Sequence, residues 1–173
     1  KSGYGICALL DLVNEFSDMF DAEKKERRIA DYGDLEHYCL KVLIAEGSTA
    51  ENPIKSEAAK ELSEKYVYVM IDEYQDSNSV QELILTLVSN GKNRFMVGDV
   101  KQSIYSFRLA DPDIFVDKYN TYEIRNGAEN ERIDMFMNFR SRKEVLDGIN
   151  FIFMQLMQKE FGGIAYDKNA MLY

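Results

Sequence analysis

"VMIDEYQDSNSVQE", residues 69–82, decides how this chain is read. An apolar run ends at Ile71, and four acidic residues, Asp72, Glu73, Asp76 and Glu82, then surround a tyrosine and a glutamine. The run starts further back, as "YVYVMI" (66–71). It is β-rich and apolar on both faces apart from the tyrosine hydroxyls, which is the pattern of a central parallel strand. Ser79 and Glu82 have the spacing of a capping box, and Val80, Leu83, Ile84, Leu87 and Val88 line one face of the helix it would open. "NGKN" (90–93) is a turn, and "RFMVG" (94–98) reads as a second buried strand. Strand, helix, strand predicts a βαβ unit and hence an α/β fold with a parallel sheet.

Ligands of open parallel sheets bind beyond the carboxyl ends of the strands, where Asp72 and Glu73 fall. A first carboxylate there holds Mg²⁺ near nucleotide phosphates, and a second orients or deprotonates water. Adjacent residues on an extended end point in different directions, so two jobs are geometrically sensible. A helix cap and a plain solvated turn are the competing explanations. The second strand ends in "GDVKQSIYSFRLADP" (98–112), which puts Gly98 and Asp99 at the same side of the sheet. In this segment Gln102 suits a phosphate or water, Arg108 a phosphate, and the rings of Tyr105 and Phe107 suit stacking on bases.

Around this centre the chain is largely helical. Leu9, Leu10, Val13 and Phe16 have helical spacing over 4–20, and "DAEKKERRIA" (21–30) continues as a solvated helix or helix end. Asp34 is the expected cap of a helix facing inward with Leu35, Tyr38, Cys39, Val42 and Leu43. A loop at 46–53 precedes a short helix from Ser56 to about Lys65. Asp111 and Pro112 are the expected cap and first residue of a helix that packs through Ile114, Phe115 and Tyr119. "RNGAEN" (125–130) is a turn and lobe boundary, and "RIDMFM" (132–137) is a candidate third strand. "SRKE" (141–144) is a second capping box, opening a helix with Val145, Ile149, Ile152, Phe153 and Leu156 as its core stripe. "FGG" ends it, and "IAYDKNAMLY" is a final extended piece.

The chain has 173 residues, 46% apolar, which suits one domain or two small lobes. No apolar stretch of ~18 residues suggests a membrane span. Cys7 and Cys39 read as buried thiols in a reducing, cytoplasmic setting, and the single His37 cannot anchor zinc alone. The net charge of −9 argues against a broad basic nucleic-acid surface. Local contacts through Lys92, Arg94, Lys101 and Arg108, or through Arg140, Arg142 and Lys143, stay open.

"IDEYQD", "VGDVKQSIYSFRLADP" and "NFRSRKEVL" (138–146) resemble, in order, the Walker B motif, motif III and motif IV of superfamily 1 helicases of the UvrD/PcrA/RecB type. "DYGDLEHYCLKVL" (31–43) is similar to the family's "DFxDL" segment, and "NFRSRKEVLDGINFIF" with the trailing "IAYD" is most similar to AddA-type subunits of bacterial AddAB helicase–nucleases. The resemblance implies part of a P-loop NTPase (RecA-like) three-layer sheet with flanking helices. Residues 1–124 would be the later part of a first motor domain and 125–173 the start of a second. It implies that Asp72 holds Mg²⁺ and Glu73 activates water, while Gln75 and Asp76 couple nucleotide to the DNA groove. Gln102 and Arg140 would reach the ATP γ-phosphate, and Phe139 would lie against adenine. Phe107, with Tyr105 and Arg108 beside it, would stack on single-stranded DNA. The parent would be a 3′–5′ ATP-dependent DNA helicase in double-strand break repair and recombination, working with an AddB-like partner and with exonuclease activity elsewhere.

No G-x-x-x-x-G-K-[ST] phosphate loop occurs in the 173 residues. Without that cradle the fragment is expected to be inactive alone, and its unpaired strand edges favour self-association. A stand-alone nucleotide- or Mg²⁺-binding regulator, a protein-interaction module docking through 144–157, and a nuclease using Asp72, Glu73 and Asp99 are the rival readings.

Overall fold

A computed structural model describes residues 2–104, 109–158, 165–168 and 170–173, the side chains of 2–4 excepted. Its elements run α1 (Ser2–Arg27), α2 (Tyr32–Leu43), α3 (Glu57–Lys65), β1 (Val69–Ile71), α4 (Ser79–Val88), β2 (Arg94–Met96), α5 (Asp113–Thr121) and α6 (Lys143–Leu156). Short 3₁₀ turns at Tyr74–Asp76 and Val100–Gln102 follow the two strands. The βαβ unit is as expected: β1 and β2 are parallel, with Val69, Met70 and Ile71 opposite Arg94, Phe95 and Met96.

The core lies among helices α2, α3 and α4. Leu43, Ala59 and Leu87 are buried together, with Cys39, Leu40, Leu62, Leu83, Ile84 and Val88 packed around them. Ser56 caps α3 through the Ala59 amide at 3.2 Å, and the helix ends at Lys65 as its sequence indicates.

Two caps sit away from their expected positions. Asp31, not Asp34, caps α2; Asp34 is its reciprocal partner, with the two backbone-to-carboxylate bonds at 2.8 and 2.9 Å. Lys24, in the last turn of α1, reaches Asp34 at 2.7 Å and Asp31 at 3.3 Å, and so ties the end of α1 to the start of α2. Asn78 and Gln81, not Ser79 and Glu82, form the box that opens α4. The shift by one residue turns Glu82 away from the cap and toward β2. At α5 the offset is smaller: Pro112 flanks a helix beginning at Asp113, whose amide donates to Asp111 Oδ1.

Other expectations fail for want of a partner surface. Only three residues of 66–71 are strand, because β2 offers only three opposite them, and Tyr66, Val67 and Tyr68 are exposed. The ladder does continue through Val97, whose N–H donates to Ile71 O and whose carbonyl accepts from Tyr74 N–H. One sheet face is open, with the paired Met70 and Phe95 70% and 50% exposed. Residues 132–137 form no strand; their nearest pairing is an isolated bridge between Glu123 and Glu131, and Ile133, Met135 and Met137 face outward. "SRKE" forms no capping box: Arg142 precedes α6 without a side-chain cap, and Lys143 pairs with Asp147 instead. The stripe Val145, Ile152 and Leu156 is exposed rather than core. Leu146 and Asn150 are the buried positions of α6. Asn150 binds Tyr166 OH at 2.6 Å, Leu172 O at 2.8 Å and Leu172 N–H at 3.0 Å, which fastens the chain end to the helix. Cys7 is exposed and only Cys39 is partly buried, both as free thiols. The "FGG" stop lies outside the described residues.

Exposed apolar residues on α1 (Leu9, Leu10, Phe16), on the sheet and on α6 leave much of the chain's apolar surface in water. Sedimentation velocity should therefore show self-association that grows with concentration. A constant monomeric coefficient over the accessible range would contradict this.

Candidate nucleotide and nucleic-acid site

The acidic turn is shaped by four consecutive residues beyond β1. Asp72 is exposed, and its Oδ1 accepts from the Glu73 N–H at 2.9 Å. Glu73 then adopts the left-handed conformation, φ 51° and ψ 40°. That conformation costs a non-glycine residue on the order of 1–2 kcal/mol. It reverses the chain so that Tyr74 and Gln75 turn inward, both about 1% exposed.

Gln75 is the junction of the site. Its side-chain N–H donates to Glu73 Oε2 at 2.8 Å, and its Oε1 accepts from the Asp99 N–H at 3.0 Å. One amide therefore joins the carboxylate beyond β1 to the backbone beyond β2. Ser103 Oγ donates to Gln75 O at 3.4 Å, and Asp111 N–H donates to Ser77 O at 2.9 Å. Both flanks of the 99–111 segment are thus fastened to residues 75–77. The close approach requires Gly98: a Cβ there would lie 2.6 Å from Gln75 Oε1 and 3.2 Å from the Gln75 and Tyr74 backbone nitrogens.

Asp72, Glu73 and Asp76 share the wall of an open cavity of roughly 370 Å³ with Ile71, Ser77 and Gln81. Burial and then the Glu73 charge push the Asp76 carboxyl above the usual aspartate range, and its Oδ1 is buried without a hydrogen-bond partner. Asp72 Oδ2 makes no hydrogen bond among the described residues and faces solvent, which fits a cation held by one carboxylate and several waters or phosphate oxygens. No group of three or more His, Cys, Asp or Glu side chains among the described residues could form an all-protein metal cage. Gln102 is exposed and donates to Asp99 Oδ2 at 3.1 Å. Phe139 is 89% exposed, Arg140 is exposed, and neither shares a hydrogen bond or ion pair with Asp72, Glu73 or Gln102. Tyr105, Phe107 and Arg108 lie outside the described residues.

A charged hub beneath the turn escapes the sequence reading. Glu82 on α4 accepts from Tyr74 OH, from Arg94 Nη2 at 2.6 Å and from Lys118 Nζ at 3.0 Å. Phe115 meets the Tyr74 ring edge-on at 5.7 Å. Arg94, read as part of a basic interval, is thus committed internally, and Lys101 is paired with Asp99 at 2.8 Å. The available signal was a lone acid on the apolar face of α4 and a lone arginine opening an apolar strand, opposite charges on elements that pack. Burial pushes the Glu82 carboxyl up, but hydrogen bonds from Arg94, Tyr74 and Lys118 together outweigh it and hold the group below the usual glutamate range. Burial, then Glu82, raises the Tyr74 phenol.

Residues 8–123 match the family described as UvrD/REP helicase N-terminal domain, and the chain belongs to that family. Its curated relatives include large-subunit proteins of the ATP-dependent helicase/nuclease. The chain is 50% identical over 167 residues to the one from Oceanobacillus iheyensis. It is 49% identical over 170 residues to the one from Clostridium botulinum and 49% over 172 residues to the one from Anoxybacillus flavithermus. These alignments cover 95–96% of this chain but only 13–14% of the relatives. Among the described residues no helix is long and apolar enough to cross a membrane.

Gly98→Ala should cost about 1–3 kcal/mol of stability, the range for forcing atoms into a packed site. Urea unfolding measures it, and an unchanged midpoint would contradict the close approach. Glu82 supplies a pH test. Its folded pKa is depressed, so its stabilisation is present at neutral pH and fades as pH falls through about 4. The melting-temperature gap between wild type and Glu82→Gln should narrow on acidification through that window. A gap that stays constant would contradict the hub.

Proposed function

We propose that this chain is a motor segment of an ATP-dependent DNA helicase–nuclease, in which it couples ATP hydrolysis to movement along single-stranded DNA in double-strand break repair and recombination. The observation that carries the reading is the Gln75 bridge between the Glu73 carboxylate and the Asp99 amide. It links a carboxylate suited to activating water with the segment that would meet DNA. The relatives are named as subunits of an ATP-dependent helicase/nuclease, which supports the same reading and a partner of the AddB kind. The parallel β1–α4–β2 unit fits part of a RecA-like P-loop NTPase sheet. Residues 1–124 would belong to the first motor domain and 125–173 to the second, in a cytoplasmic protein of 3′–5′ polarity.

In this mechanism Asp72 would hold Mg²⁺, which when bound neutralises phosphate charge. Glu73 orients the attacking water and takes up its proton. Gln75 fixes the Glu73 carboxylate so that little reorganisation is needed as charge develops. Gln102 and Arg140 serve the γ-phosphate, and Phe139 serves the adenine ring. Tyr105, Phe107 and Arg108 serve the DNA, with movement there passed to Glu73 through Asp99 and Gln75, and through Asp76 beside them.

The 173 residues contain no phosphate loop, so the isolated chain should bind no non-hydrolysable ATP analogue with Mg²⁺ in a calorimetric titration. In the full-length polypeptide Glu73→Gln should lower single-stranded-DNA-stimulated ATPase at least about hundredfold, the range for losing a general base. Binding by the isolated chain that disappears with Asp72→Asn would instead favour a stand-alone nucleotide-binding regulator. Full-length Glu73→Gln with undiminished turnover would remove Glu73 from the chemistry.

A further inference from the structure

The Glu82 hub spans every element that meets at the acidic turn. Tyr74 directly follows the left-handed Glu73, Arg94 opens β2, and Lys118 stands on α5, the helix that follows the 99–111 segment. The side chains of Glu82, Arg94 and Lys118 are only 21%, 15% and 20% exposed. Phe115, three residues before Lys118, packs edge-on against Tyr74, so α5 grips that ring at both its edge and its hydroxyl acceptor. A helix core position would suit leucine here. Three donors converging on one carboxylate instead impose direction, because each hydrogen bond is lost if its element shifts by about an ångström.

We infer that Glu82 is a positioning residue for the acidic turn: it locks Tyr74, and through it the Glu73 carboxylate, to helix α5, so that the turn follows displacements of the DNA-facing segment. The inference rests on the ATP-dependent function proposed above. It adds a second connection between the turn and that segment, separate from the Gln75 bridge: Gln75 joins the near end at Asp99, and Glu82 joins the far side through Lys118. Tyr74, Arg94 and Lys118 are the hub's other members, and none of them touches nucleotide.

The test uses the full-length polypeptide carrying Glu82→Gln, Lys118→Met or Tyr74→Phe. Single-stranded-DNA-stimulated kcat should fall about tenfold, while the KM for ATP and the affinity for a fluorescent oligonucleotide stay within about twofold. Hydrogen exchange should quicken in a peptide spanning 72–78 and stay unchanged in one from the α2 core, 36–44. Wild-type stimulation in all three folded variants would overturn the inference. So would exchange that quickens equally in both peptides, since that is loss of stability alone. Should Glu82→Gln fail to fold, Lys118→Met, which removes one of three partners, decides. Should the wild-type polypeptide show no DNA-stimulated ATPase, the proposed function fails. The exchange pattern then decides the hub by itself: selective loosening of 72–78 upholds it, and unaltered protection overturns it.

Discussion

Burial of one side-chain amide organises this site. Gln75 has nowhere to reach water, so both ends of its amide must find protein partners. The partners it finds are the Glu73 carboxylate and the Asp99 N–H, on the far ends of two different strands. Everything nearby adjusts to that requirement. Position 98 must be glycine to let the backbone close on Gln75, and Glu73 must take a left-handed turn to bring its carboxylate back over the amide. The turn costs on the order of 1–2 kcal/mol. A hydrogen bond to a charged group returns about 1.5 kcal/mol even at the low end of its range, so the strain is offset locally.

A second layer supports the first. Tyr74 cannot leave its pocket without uncoupling its hydroxyl from Glu82, and Glu82 cannot move without releasing Arg94 and Lys118. Breaking one partner from such a half-buried set is costly because the remaining charge has already lost its water. The consequence is a turn held from below by ion pairs and from the side by an amide, while Asp72 and Glu73 stay exposed above the cavity. Rigid support under accessible carboxylates is the arrangement that phosphoryl-transfer chemistry asks for.

The sequence is legible where local rules dominate. Periodicity and β-propensity located β1, α4 and β2, and Ser56 marked the start of α3, because those signals lie within a few residues. It misled where two local solutions were nearly equal. Asn78 and Ser79 are both good caps, and the choice fell to Asn78 because Glu82 is claimed by Arg94 and Lys118, 12 and 36 residues away. "RIDMFM" has strand chemistry but no neighbouring strand to pair with, and the α6 stripe has helix periodicity but no surface over it. Asp72, Glu73 and Asp76 were readable as a cluster from spacing alone. Their junction through Gln75 was not, since it depends on the register of two strands that only folding sets.

The most direct test of the account is amide exchange at two positions, Asp99 and Asp111, resolved by NMR in the 173-residue chain. These N–H groups donate to Gln75 Oε1 and to Ser77 O. Both should be protected in wild type, and replacing Gln75 with leucine should release Asp99 while leaving the Leu43–Leu87 core amides protected. Rapid exchange of Asp99 in the wild-type chain, or protection there that survives the loss of Gln75, would contradict the claim that this amide holds the two strand ends together.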